Sequence, residues 1–267
     1  MTARRRQRAY LAGRAGLLVL LLAGCLLSCG CVYWRLMKVR HQLARFETHF
    51  EVSHDPGPLI LFTKPVLKGG DLAWLTGFRP EPAGDEGRYA DGNAYIFTKR
   101  DTPESDPEKF RTLRIYEWLK NDRVVSFEFP EQFKQIINQE LMERAFKGIE
   151  EGEFDGKKEK AGWQLSGDLK IPSREELIAV MGAPVRNEST TLHDVLFYAY
   201  DQEEAPRPLP EGSTEVLPDV SANFLYDRKE DRMIQAHLVV GHLVIFVARG
   251  GEGRYAVTLR REVRTGK

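Results

Sequence analysis

The sequence predicts an α+β fold: two repeated units, each a short helix packed on an antiparallel sheet, after an N-terminal membrane anchor. Three observations predict it. Twenty uncharged residues, Ala15 to Trp34, follow a cluster of arginines. A short helical pattern that closes in glycine and then proline occurs twice. Each of these is followed by a strand and then by a hairpin with a charged turn.

Residues 1–34 are the anchor. Arg4, Arg5, Arg6, Arg8 and Arg14 precede the apolar run and Arg35 follows it, which is the order of a positive n-region and an apolar h-region. The run is also long enough to cross a bilayer as a helix. Leu22-Ala23-Gly24-Cys25 resembles a bacterial lipobox, with small residues before a cysteine whose thiol takes the lipid. Cys31 is the alternative acceptor. The other reading is an uncut signal anchor, which the apolar Leu26, Leu27, Val32, Tyr33 and Trp34 favour. In both, the N-terminal arginines place the following domain outside the cytoplasm. Cys25, Cys29 and Cys31 are the only cysteines, so the domain has neither a disulfide framework nor a cysteine-based metal site.

The chain carries 39 basic and 39 acidic residues. Five of the basic ones lie in the anchor, so the remaining 34 face all 39 acids, a net of −5. An acidic domain argues against nucleic acid as a partner, because a phosphate backbone needs a basic face.

Residues 35–54 read as an amphipathic helix or stalk, with Leu36, Val39, Leu43 and Phe46 at helical spacing. The first α+β unit, 55–149, opens with the helix Asp71–Thr76 and its stop signals Gly77 and Pro80. A strand at Tyr95–Thr98 and a hairpin from Leu113 to Phe129 follow. From Pro130 to Ile149, Phe133, Ile136, Ile137, Leu141, Ala145 and Ile149 keep the 3–4 spacing of one buried helical face. Residues 150–170 are a charged linker. The second unit, 171–267, repeats the order. A capping box at Ser173-Arg174-Glu175-Glu176 starts a helix that stops at Gly182 and Pro184. Val195–Tyr200 is the strand, and Ala222–Leu238 the hairpin. The hairpins align without a gap at an offset of 109, and the helices at 105. Two more strands are expected around Gly250-Gly251-Glu252-Gly253. Residues 79–94 and 201–219 are loops rich in proline, glycine and acid.

The segment Pro172 to Phe246 resembles the small outer-membrane-assembly lipoproteins of the SmpA/OmlA, or BamE-like, family. The carriers are the capped helix closing in Gly182-Ala183-Pro184, the strand Leu196 to Tyr200 and the meander Phe224 to Phe246. The chain departs from that family in its length, its doubling and its long acidic loop. The beta-lactamase-inhibitor-type domain is a structural analogue of the doubling. The resemblance implies protein binding without catalysis, and it carries no binding residue over to this chain.

Residues with chemistry are sparse. There is no Gly-x-Ser-x-Gly elbow, HExxH or Walker sequence. Gly251-Glu252-Gly253-Arg254-Tyr255-Ala256 mimics a dinucleotide fingerprint but sits between two strands, which makes it a turn. His237 and His242 meet only if the chain reverses near Gly241. The acidic loops lack the spacing of a calcium loop. Tyr116 and Trp118 share one strand face, read as core against the first helix or as an exposed aromatic patch. No catalytic residue, metal ligand or cofactor is assigned. The expectation is a non-enzymatic envelope lipoprotein facing the periplasm, with the outer membrane favoured over the inner. It would bind an envelope protein partner, with loop 201–219 as the contact region. The alternative is a single-pass membrane-anchored enzyme or small-ligand binder with a pocket between the two units.

Overall fold

The computed structural model describes residues 32–54, 57–84, 91–102, 106–155, 160–165, 171–202, 218–250 and 254–262. The chain separates into two compact parts, Met1–Val39 and Arg40–Lys267. In the first, residues 32–39 are helical, and the Lys38 ammonium lies 3.5 Å from the centre of the exposed Trp34 ring. No helix among the described residues is long and apolar enough to cross a membrane. Cys25, Cys31 and the apolar run up to residue 31 lie outside the described residues.

The second part is mixed α and β, and its strands pair antiparallel in one sheet. The strands are β1 Phe50–Ser53, β2 Leu59–Phe62, β3 Glu81–Pro82, β4 Gly92–Lys99, β5 Thr112–Lys120, β6 Arg123–Glu128 and β7 Glu153–Asp155, then β8 Lys160–Gln164, β9 Arg186–Ser189, β10 His193–Asp201, β11 Val220–Asp227, β12 Arg232–Val240, β13 Leu243–Arg249 and β14 Tyr255–Arg261. The order is β1-β2-β6-β5-β4-β10-β11-β12-β13-β14-β8-β7, with β3 beside β4 and β9 beside β10. The meanders β4-β5-β6 and β10-β11-β12 therefore sit side by side. β4 and β10 meet over a short stretch, where Lys99 pairs with Tyr200 and Thr98 with Asp201.

Side chains alternate across a sheet, so the register sorts the two faces. Lys99 opposite Tyr200 puts Tyr95 and Phe97 on the same face as Leu196, Tyr198 and Tyr200. This face holds the main core. Each fully buried apolar side chain there is worth about 1.5–3 kcal/mol.

Two helices lie on this face, and each is anchored in the other meander's half. The helix Asp71–Thr76 stops at Gly77, which is left-handed at φ 77°. Its last carbonyl, on Thr76, accepts the His242 amide from the β12–β13 turn at 2.8 Å. The helix Arg174–Met181 carries the expected capping box: the Glu176 amide donates to Ser173 Oγ at 3.2 Å, and the Ser173 amide to Glu176 Oε2 at 2.9 Å. It stops at Gly182, and the carbonyls of Met181, its last residue, and of Ala183, just past it, accept the Lys99 ammonium at the end of β4.

The hairpins are not gapless copies. Asn121 and Asp122, both at positive φ, make a two-residue turn, as a type I′ hairpin requires. The second turn has four residues, Arg228 to Asp231, and Asp227 Oδ1 ties it by accepting the Lys229 and Glu230 amides. Each hairpin bulges in its second strand, at Val125 in β6 and at Ile234 in β12, residues 109 apart; the residues before the turns, Lys120 and Asp227, are 107 apart.

Three segments depart from the sequence reading: the stretch 35–54, expected as an amphipathic helix or stalk, ends in β1, which pairs with β2 in the sheet, and two more differ. The single helix expected from Pro130 to Ile149 is broken into Glu131–Gln135, Gln139–Phe146 and Lys147–Ile149. Asn138 breaks it: its backbone is extended, and its side-chain oxygen caps the second piece by accepting the Leu141 amide at 2.9 Å. The region expected as linker supplies β7 and β8, the latter paired with β14. The segment 139–152 bridges both ends of the strand path. Gln139 Oε1 accepts the Val52 amide of β1, and the Ala145 carbonyl accepts Trp163 Nε1 of β8, both at 2.9 Å.

Candidate functional site

The expected contact region is described only at its base. Asp201 and Gln202 lead into it and Pro218 and Asp219 leave it, while residues 203–217 lie outside the described residues. The base is a polar collar. Arg100 grips Asp201 with both ends of its fork, Nε to Oδ2 at 2.6 Å and Nη2 to Oδ1 at 2.9 Å. The bond to Asp201 holds the Arg100 guanidinium above its ordinary pKa, against a smaller opposing effect of burial. Asp219 Oδ2 accepts the Gln202 amide at 2.9 Å. The Gln202 side chain then makes a reciprocal pair with the Arg79 backbone, both bonds at 3.0 Å. Bidentate, charge-assisted bonds of this kind fix orientation, so both stems of the loop leave the sheet at set points.

Besides Asp71 at the start of the first helix, three further charged side chains are buried among the described residues, and the sequence reading named none of these three. The Lys99 ammonium, 4% exposed, closes the Arg174 helix, lies 5.1 Å from the Tyr198 ring centre and is pulled down in pKa by burial. Asp194 accepts Arg174 Nη1 at 2.9 Å and Ser189 Oγ at 2.6 Å, with Arg228 at 3.6 Å. Glu117, fully buried on β5, accepts Asn93 Nδ2 at 2.7 Å and the Tyr95 hydroxyl at 3.4 Å. A sequence signal for Glu117 exists: it falls in the register of Leu113, Ile115 and Leu119, where an acid interrupts a core-facing row.

The histidines are not brought into one site. Gly241 and His242 form the β12–β13 turn, while His237 sits on β12 across from Phe246, with ring centres 6.4 Å apart. No group of three metal-ligating side chains occurs among the described residues.

Tyr116 and Trp118 do share a face and stack, with centres 5.3 Å apart, but it is the face opposite the first helix. Trp118 pairs with Gly92 and Ser126 and packs with Leu59 and Ala83 in a separate cluster. It is 1% exposed, so it presents no patch to a partner. Trp74, 37% exposed, lies under the Arg261 guanidinium at 4.1 Å.

A small recess lies between the first meander and the second helix, lined mainly by Phe110, Leu113, Phe133, Val180, Met181 and Tyr200. No nucleophile and general base converge there. No family model, curated protein or solved structure matches this chain.

Proposed function

We propose that this chain is a non-enzymatic envelope lipoprotein, anchored through Cys25, whose periplasmic domain is a tandem of two helix-on-sheet units and binds another envelope protein. The observation that carries the anchor is the arginine cluster, apolar run and Leu22-Ala23-Gly24-Cys25 order. With the SmpA/OmlA resemblance, that placement favours an assembly or scaffold role.

The tandem reading is supported by how strand offsets match. β3 pairs with β4 through Glu81 and Ala94, and β9 with β10 through Arg186 and Phe197. The short strands are 105 apart and the long ones 103. At 103, Thr98 falls on Asp201, and these two residues are themselves an antiparallel pair. Equivalent residues paired with each other are what a local two-fold axis between repeats produces. The Arg100–Asp201 collar lies at this point, at the base from which loop 201–219 leaves, which supports that loop as the contact region.

The test is the intact mass of the membrane-extracted protein beside a Cys25→Ala variant, with a photo-crosslinker placed in loop 201–219. Loss of residues 1–24 with added acyl chains, absent in the variant, and one discrete crosslinked envelope protein are expected. An uncut, unacylated N-terminus would remove the lipoprotein reading. Acylation that persists in the variant would move the anchor to Cys31. No crosslinked partner would remove the contact assignment.

A further inference from the structure

Among the described residues, the exposed large apolar side chains are Tyr33, Trp34, Trp74 and Leu192. Trp74 lies under Arg261, and Leu192 sits in the turn between β9 and β10. Tyr33 and Trp34 differ from these two: they are adjacent, 44% and 62% exposed, and both belong to the helical residues 32–39. Lys38 is exposed on the same helix, with its ammonium 3.5 Å from the Trp34 ring centre. At 3.6 residues per turn, Tyr33, Trp34 and Lys38 fall within about 140° of the helix circumference, so they form one face.

The sequence around this face says what covers it. Trp34 is the last residue of the uncharged run that begins at Ala15. Arg35, Lys38 and Arg40 follow, and the first acid of the chain is Glu47. An apolar run that gives way to aromatics and then to cations matches a bilayer in section: hydrocarbon, headgroups, anionic phosphate. Tyrosine and tryptophan collect at that boundary because the ring leaves water while the O–H or N–H stays wet. A lysine stem lies along apolar surface and holds its ammonium at the polar side.

We propose that Tyr33, Trp34 and Lys38 form a membrane seat: the two rings lie in the headgroup layer of the bilayer that anchors the chain, and the Lys38 ammonium, with Arg35, meets the lipid phosphates. The Lys38 ammonium already lies over the Trp34 ring, so charge and ring reach the same depth. This rests on membrane anchoring by the N-terminal run and holds for either form of the anchor. In an uncut anchor, Trp34 ends the apolar span. In a chain lipidated at Cys25, nine residues separate Trp34 from the acylated cysteine, at most about 32 Å of extended chain.

The test uses the full, membrane-extracted protein reconstituted into vesicles of phosphatidylethanolamine and phosphatidylglycerol, with bromine near the top or near the end of the acyl chain. Bromine quenches tryptophan at its own depth. Shallow bromine is expected to quench part of the emission and deep bromine less, and this component should be lost in Trp34→Phe, which folds alike because Trp34 is exposed. Quenching that persists unchanged in Trp34→Phe, or that deep bromine causes more strongly, would overturn the seat. With phosphatidylcholine in place of phosphatidylglycerol the quenching should lessen; equal quenching in both would overturn the part given to Lys38 and Arg35. Flotation separates the two readings: protein that does not float with the vesicles removes the anchor and the seat together, and protein that floats without shallow quenching removes the seat alone.

Discussion

The two helix-stop glycines make unequal demands, and that inequality is testable. Gly77 has φ 77° and ψ 7°, an ordinary left-handed cap. Gly182 has φ 72° and ψ −172°, a region in which essentially only glycine is found. Alanine at Gly77 incurs about 1–2 kcal/mol of left-handed strain. Its methyl would lie 2.6 Å from the His242 ring, whose side chain can rotate away. Alanine at Gly182 incurs about 1–3 kcal/mol of strain. Its methyl would also lie 2.8 Å from Phe110 Cγ and 2.9 Å from Phe110 Cβ. The near position of Cβ means the whole Phe110 residue must shift, for roughly 1–3 kcal/mol more. The expected losses are therefore about 1–2 kcal/mol for Gly77→Ala and about 2–6 kcal/mol for Gly182→Ala. Asparagine sharpens the contrast. It tolerates the left-handed region, so Gly77→Asn should fall below Gly77→Ala in cost, whereas Gly182→Asn should gain nothing. Urea unfolding followed by circular dichroism measures all four on one scale. Equal costs at the two sites, or rescue by asparagine at both, would refute the reasoning.

Asp194→Ala should destabilise by about 2 kcal/mol, because it strips a buried acceptor from Ser189 and Arg174. Arg174 and Arg228 keep solvent access when it goes, which holds the loss below that of a fully buried pair; Asp194→Asn should lose less, and an unchanged urea midpoint for Asp194→Ala would contradict the assignment. Trp118→Ala should cost about 3–5 kcal/mol as a filled core position, while Trp74→Ala, which removes an exposed ring stacked on Arg261, should cost under about 1 kcal/mol. The reverse ranking in urea midpoints would place the partner-facing tryptophan on β5 after all.

The α+β class, the two glycine stops, the capping box at Ser173 and Glu176, and the charged hairpin turns were all legible in the sequence. Each is written in neighbouring residues: a cap needs an oxygen three residues from its amide, a stop needs a residue that tolerates positive φ, and a hairpin needs polar residues between β-formers. Asn138 was equally local, and the apolar 3–4 spacing on both sides of it masked the break. What the sequence could not decide were questions of face and partner. On β5, Leu113, Ile115 and Leu119 compete with Tyr116 and Trp118 for the core side, and both rows are apolar enough to be buried. The pairing of Lys99 with Tyr200 and of Asn93 with Glu117 puts Glu117 on the face of the main core, while Trp118 lies in a second cluster behind it. The same holds for the collar at Asp201, for β8 joining β14, and for the anchoring of each helix in the other meander's half. These contacts join residues far apart in the sequence, from 82 positions for Lys99 and Met181 to 101 for Arg100 and Asp201, and further still for Thr76 and His242. Their strength comes from burial and hydrogen-bond geometry that exist only once the sheet has formed.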